Sequence, residues 1–207
     1  MSKVHTPRRQ SIFYRYPLLY DLGIHFLYLN RLKILKEIVG HGMNVFEPAC
    51  GFGRMTKHLY EDCVYSGIDL NEKFVGFGRK KSRNIRVGDI LKEENYSPAD
   101  IILLCDILHH LQMPEIHCLF RIAGKFAKKI VIIEPTFVAL AAKKNIFSHL
   151  LGKLMTRVDS DGFNEITHWM SREEYHDLFV SLNAIIPILN MTIRHHHYHV
   201  FVEIVLA

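Results

Sequence analysis

Asn44-Val-Phe-Glu-Pro-Ala-Cys-Gly-Phe-Gly53 is the stretch that decides the fold. Asn44–Cys50 reads as a short apolar strand, Gly51 and Gly53 as a tight turn, and Arg54–Glu61 as the helix that follows. Glycine at such a turn lets the backbone bend sharply and approach a ligand with no Cβ in the way. A strand, a glycine turn and a helix in this order, at the carboxyl edge of a parallel sheet, form a place where nucleotide-like ligands bind.

Outward from this loop, short apolar runs alternate with helical patterns. Strands are predicted over Val64–Leu70, Ile85–Ile90, Asp100–Asp106 and Lys129–Pro135, and helices over Glu72–Lys81 and Pro114–Phe126. This alternation predicts an α/β fold with a parallel sheet covered on both faces. Lys92–Ala99 is polar and lacks a helical period, so the crossover there is reduced. Ser171 and Glu174 make a capping box that opens a helix through about Leu182. The β-rich runs Ala184–Ile193 and Tyr198–Ala207 then predict a hairpin, so an antiparallel strand ends the sheet.

Upstream, Leu22, Phe26, Leu29, Leu32, Leu35 and Val39 recur at helical spacing, and Gly40 and Gly42 end the pattern. Residues 1–39 are read as a helical cap belonging to the same domain, and 40–207 as its main body. An insertion at about 137–168 fits neither pattern; one of this length suits a lid or a substrate-binding element.

Four consecutive strands each place an acid at the carboxyl end: Glu47, Asp69, Asp89 and Asp106. A single such residue is unremarkable, because Asp also caps helices. Four on one edge converge on one ligand. Asp69, ending the second strand, suits a ribose, since a carboxylate there accepts hydrogen bonds from both hydroxyls.

The 207 residues are 49% hydrophobic and 23% charged, which suits one folded domain and excludes large-scale disorder. Net charge is +5, but the basic residues are scattered, with short clusters at Arg8–Arg9, Arg79–Lys81 and Lys128–Lys129. No stable nucleic-acid partner is expected from them. Cys50, Cys63, Cys105 and Cys118 form no CxxC pair, and the polar N-terminus carries no secretory pattern, so a cytoplasmic protein with reduced thiols is expected. Residues 12–29 are rich in aromatics and leucine, yet Arg15, Pro17, Asp21 and His25 interrupt them too often for a membrane span. A peripheral membrane contact stays open. The run Arg194-His-His-His-Tyr-His199 has no acidic or cysteine partner nearby, so it reads as an exposed turn and no metal is expected.

Glu47-Pro-Ala-Cys-Gly-Phe-Gly53 resembles the first motif of class I S-adenosylmethionine (SAM)-dependent methyltransferases, with Ala49 where the first glycine is usual. Gly67-Ile-Asp69-Leu70 resembles the second, Gly88-Asp89-Ile90 the third, and Cys105-Asp106-Ile-Leu-His-His-Leu111 the fourth. The likeness spans about residues 40–136. It implies a Rossmann-like, doubly wound, mostly parallel seven-stranded sheet with an antiparallel C-terminal hairpin strand, and SAM as cofactor. By the same resemblance, Ala49, Gly51 and Gly53 line the methionine part and Glu47 orients its amino group. Asp69 would hold the ribose, Leu70 flank the adenine, Asp89 bond the adenine amino group and Ile90 pack on the ring. The backbone near Asp106 would line the carboxypropyl side.

The His-His-Leu stretch is similar to that of the small-molecule branch, which includes quinone-ring methyltransferases. His109 and His110 are the candidates for acceptor contact or general base, because imidazole titrates near neutrality. Glu134, in Ile-Ile-Glu-Pro135, is a further candidate, as are His168, Trp169, Tyr14, Tyr16 and Tyr20. The expected activity is methyl transfer to a small or lipid-like acceptor. Two alternatives stand beside it: an RNA or protein methyltransferase, favoured by the basic charge alone, and a non-catalytic cofactor-binding module of the same fold. A nicotinamide site fits less well, since Thr56 replaces the third glycine of that loop.

Overall fold

A computed structural model describes residues 16, 33–136, 169–196 and 199–207. The expected cap before Lys33, with Tyr14 and Tyr20, lies outside these residues, as do the insertion, His168 and the pair at 197–198. Tyr16 is described and exposed.

The strands are β1 (Asn44–Pro48), β2 (Val64–Asp69), β3 (Ile85–Val87), β4 (Ala99–Cys105), β5 (Ala127–Pro135), β6 (Ile188–His196) and β7 (His199–Leu206). The helices are α1 (Lys33–Val39), α2 (Glu72–Arg79), α3 (Met113–Phe126) and α4 (Arg172–Ser181). One seven-stranded sheet runs in the order β3-β2-β1-β4-β5-β7-β6. β1 to β5 pair in parallel, and β7 lies antiparallel between β5 and β6.

Alternation along the central strands builds two cores. Phe46, Ile68, Ile102, Leu104, Ile130, Ile132, Val200 and Val202 face one side, against Ile116, Leu119, Phe120 and Ala123 of α3 and Tyr175, Leu178 and Phe179 of α4. Val45, Ile101, Leu103, Val131, Ile133 and Phe201 face the other, against Leu35, Ile38 and Val39 of α1. With both faces covered, the central strands read as unbroken apolar runs, as parallel strands do.

Each helix begins where its cap lies. Asn71 accepts from the N–H groups of Lys73 and Phe74 to open α2. Glu115 reaches back to the Gln112 N–H to open α3, and Ser171 and Glu174 close the expected box at α4.

Two segments are shorter than the sequence pattern implies. The helix expected over Arg54–Glu61 is a five-residue 3-10 turn, Arg54–His58. There the Thr56 hydroxyl donates to Gly53 O, the carbonyl that an α-helix would need for its own first bond. β3 stops at Val87 rather than Ile90, because the Asp89 carboxyl accepts from Leu91 N–H and folds the chain into a turn. The third crossover is reduced to the 3-10 turn Glu93–Asn95, in line with its polar sequence. No helix among the described residues is long and apolar enough to cross a membrane.

Candidate functional site

Strand order reverses between β1 and β4, and the crevice at the carboxyl ends of the strands on either side of such a switch is where open α/β sheets bind ligands. Glu47 in β1 and Asp106 after β4 flank it.

The loop after β1 is held by backbone and carboxylate together. Cys50 N–H donates to Ile68 O (2.9 Å), and Gly53 N–H to Cys50 O (2.8 Å). Gly51 N–H donates to Asp69 Oδ2 at 2.7 Å, while Asn71 N–H donates to Asp69 Oδ1 at 2.8 Å. Asp69 therefore shapes the glycine loop. A carboxylate oxygen can accept more than one hydrogen bond. Beneath the loop, a Cβ at Gly67 would lie 2.8 Å from Cys50 Cβ and Sγ, so only glycine lets the loop settle onto β2.

Ala49, Gly51 and Gly53 all have left-handed backbones, with φ of 61°, 56° and 73°. The alanine that departs from the motif thus occupies a glycine conformation. An L-residue there is strained by roughly 1–2 kcal/mol, and glycine's greater unfolded-chain freedom offsets about 0.4–1 kcal/mol of any relief. Ala49→Gly should therefore stabilise the protein by about 0.5–1 kcal/mol. Urea denaturation of the two proteins reads this directly.

Glu47 is 2% exposed, and the Tyr65 hydroxyl donates to its Oε2. Burial pushes its carboxyl up to about 8; the Tyr65 bond and Arg83 pull down, while Asp69 and Asp106 push up. Glu47 thus holds a proton at neutral pH in the free protein. Asp69 and Asp106 lie close enough for their charges to act on it. The Asp89 charge acts on Tyr96. Leu70 is half-buried, and Ile90 is buried in the larger core.

On the other side of the switch, Asp106 turns the chain out of β4 with a left-handed φ of 52°. The 3-10 turn Leu108–His110 follows, and Glu134 of β5 anchors it. Glu134 Oε1 accepts from Ile107 N–H (2.7 Å) and Leu108 N–H (2.8 Å). Its Oε2 meets His109 Nδ1 at 2.8 Å and accepts from the Tyr175 hydroxyl at 3.0 Å. Burial by itself would raise this carboxyl, but the His109 charge and hydrogen bond and the two N–H groups hold it below the ordinary carboxylate value. Trp169 stacks nearly parallel on His109, with centroids 4.5 Å apart, and His110 tilts against the same ring at 4.3 Å. His109 and His110 are both buried.

Of the run expected to be an exposed turn, Arg194 is exposed, and the turn at 197–198 lies outside the described residues. β7 pairs His199 with Pro135, and β6 pairs His196 with His199, so this end of the hairpin stands at the carboxyl edge beside Glu134. His199 is buried and His195 is exposed. No His, Cys, Asp or Glu cluster among the described residues could hold a metal.

Two participants escaped the sequence reading, Tyr65 and Tyr175. Tyr65 stands two residues before Gly67 on β2, where period-two spacing puts both on one face with Glu47 opposite Gly67. That spacing is the available signal. Tyr175 falls in an ordinary apolar helix stripe, and only the need of a buried hydroxyl for a partner marks it.

A family described as "Methyltransferase domain" matches residues 46–127. No curated protein matches the sequence. Among solved structures, the chain is similar to an O-methyltransferase family protein from Burkholderia thailandensis, with a TM-score of 0.63 and 13% identity over 91% of this chain and 59% of that one. It is also similar to human N-acetylserotonin methyltransferase in complex with SAM, with a TM-score of 0.67 and 14% identity over 94% of this chain and 58% of that one. Magnesium protoporphyrin IX methyltransferase from Synechocystis, with bound SAH, gives a TM-score of 0.59 and 14% identity over 92% of this chain and 87% of that one. The chain spans about three fifths of the length of the first two. At these identities the likeness is one of fold. Residues 46–127 thus match a family of methyltransferase domains, in a chain that shares its Rossmann-like α/β fold with these structures.

Proposed function

We propose that the chain binds SAM in the crevice between β1 and β4 and transfers its methyl group to a small or lipid-like acceptor. The observation that supports this most is the left-handed loop at Ala49–Gly53, tied to Asp69 beside the buried, protonated Glu47. A neutral acid in a buried pocket is poised to ionise when an ammonium group arrives. Asn71 supports the fit: it is 5% exposed, sits in the same turn as Asp69, and its Nδ2 donor has no hydrogen-bond partner among the described residues.

In this reading Glu47 receives the amino end of the cofactor, and Ala49, Gly51 and Gly53 let the backbone come close to it. Asp69 takes the ribose hydroxyls, Leu70 and Ile90 bound the adenine, and Asp89 meets its amino group. The backbone at Asp106 closes the carboxypropyl side. Bound SAM supplies an activated methyl on a sulfonium. The chain then has chiefly to align donor and acceptor, which alone contributes several kcal/mol.

His109, His110 and Glu134 form the acceptor side. Glu134 fixes the ring of His109 through Nδ1, and a histidine oriented this way serves as a base where the acceptor must lose a proton early. Trp169 adds an apolar slab at this end, which suits a ring or a lipid-like acceptor over a phosphate backbone. The helical cap at 1–39 and the insertion at 137–168 are the proposed walls of that pocket.

Incubation with SAM and pools of phenolic, amine and lipid-extract acceptors, following S-adenosylhomocysteine (SAH) release, tests the reading. Turnover with one of them is expected. Cofactor binding with no turnover on any pool would overturn the enzymatic assignment. Asp69→Ala should weaken SAH binding by about one to two orders of magnitude, because a charge-assisted hydrogen bond contributes roughly 1.5–3 kcal/mol. Calorimetric titration measures it.

A further inference from the structure

The face of β2 below the glycine loop carries Tyr65, then Gly67, and Gly67 pairs across the ladder with Glu47. Because position 67 has no side chain, the diagonal from Tyr65 to Glu47 is open, and the Tyr65 hydroxyl reaches the Glu47 carboxyl. The same ring lies under the loop: a Cβ at Gly53 would sit 3.5 Å from Tyr65 Cε1. One side chain therefore bonds the acid proposed to face the cofactor and fills the space beneath the turn proposed to let the cofactor approach.

We propose that Tyr65 is a positioning residue for the cofactor: its hydroxyl holds the Glu47 carboxyl ready for the ammonium end of SAM and makes capture of the cofactor proton-linked. This rests on the cofactor placement proposed above.

Among the described residues, the groups that act most on Glu47 are Tyr65 and Asp69 from β2, Asp106 after β4, and Arg83 ahead of β3; the thiols of Cys50 and Cys105 also lie near. Both thiols are pushed far up by burial and stay neutral, so they add no charge. Asp69 and Asp106 favour the protonated acid, and Arg83 favours the carboxylate. Among these, Tyr65 alone donates a hydrogen bond to Glu47. A donor strengthens as the acceptor ionises. Tyr65 thus eases loss of the Glu47 proton at the moment a cation replaces it.

The test is the pH dependence of SAH affinity for wild type and Tyr65→Phe, expressed as the ratio of their dissociation constants so that the ligand's own titration cancels. If the hydroxyl lowers the Glu47 midpoint by about one pH unit, the variant binds about tenfold more weakly at pH 7 and about twofold more weakly at pH 9. A ratio that is the same at every pH would reduce Tyr65 to a structural part and overturn the proposal. Calorimetry in two buffers of different ionisation heat gives a check that needs no Tyr65 variant. Wild type should release close to one proton on binding SAH at pH 7, and Glu47→Gln none. Binding by wild type without proton release overturns the proposal but leaves the cofactor reading standing. No affinity for SAH at any pH overturns both.

Discussion

Glu134→Ala should lower the stability of the free protein by about 3–5 kcal/mol, the range for breaking a buried charge pair by removing one partner. Glu134 is fully buried, and four donors converge on it: two backbone N–H groups, His109 and Tyr175. Alanine removes the acceptor that these four donors share in a dry environment. Glu134→Gln is milder, at about 2 kcal/mol, because its carbonyl can still serve Ile107 and Leu108 while its NH2 opposes the other donors. The folded carboxyl titrates below its unfolded value. Its contribution is therefore present above about pH 4.5 and is lost as pH falls through the lower, folded value. Urea denaturation at pH 7 and pH 4 checks both points. The wild-type advantage over Glu134→Gln should shrink at the acidic end, and an advantage that grew there would refute this account of the turn.

Glu47→Gln carries the opposite sign. Here the folded carboxyl titrates at about 8, well above its ordinary value of 4.5. A group raised on folding stabilises fully below the unfolded value, and that contribution drains away as pH rises towards the folded one. The slope is at most about 1.4 kcal/mol per pH unit. Glutamine keeps the shape and an acceptor for Tyr65 but cannot ionise in the unfolded chain. The variant should thus be more stable than wild type by roughly 3 kcal/mol at pH 7, with the difference vanishing near pH 4.5. Above about pH 8, where the wild-type carboxyl is already ionised, the variant should also bind SAH at least about tenfold more weakly, for want of a charge-assisted bond. Paired denaturation and binding measurements would show stability and affinity moving apart, the pattern of an acid kept in place for a ligand.

Much of this architecture is legible from patterns of two and four. β1, β2, β4 and β5 appear as apolar runs ending in an acid or, for β5, in Glu134-Pro135, and the capping box at Ser171 marks α4. What the patterns hide is side-chain competition with the backbone. Thr56 and Asp89 each divert one hydrogen bond, and the helix after the loop and the tail of β3 shorten accordingly. The hairpin was foreseen, but not that β7 lies inside it. His199-Val-Phe-Val-Glu-Ile-Val-Leu206 is nearly continuous in its apolar character, as an interior strand should be, whereas Ile188–His196 mixes polar with apolar as an edge strand does. The strand-end acids were expected to gather on one ligand; in the structure the charges of Asp69 and Asp106 reach Glu47, and that of Asp89 reaches Tyr96. Ala49 was recognisable as a departure from the motif; its positive φ was not, because the next residues could equally have shifted the turn.

The interior place of β7 bears on how the molecule is made. When Pro135 has been synthesised, β5 is complete but its outer neighbour begins only at His199. At about 5–20 residues per second, that gap leaves the Ile130–Ile133 rim unpaired for several seconds. A nascent chain in that state offers a ready template for wrong strands. Variants that slow translation between these points should raise the aggregated fraction without altering the finished protein.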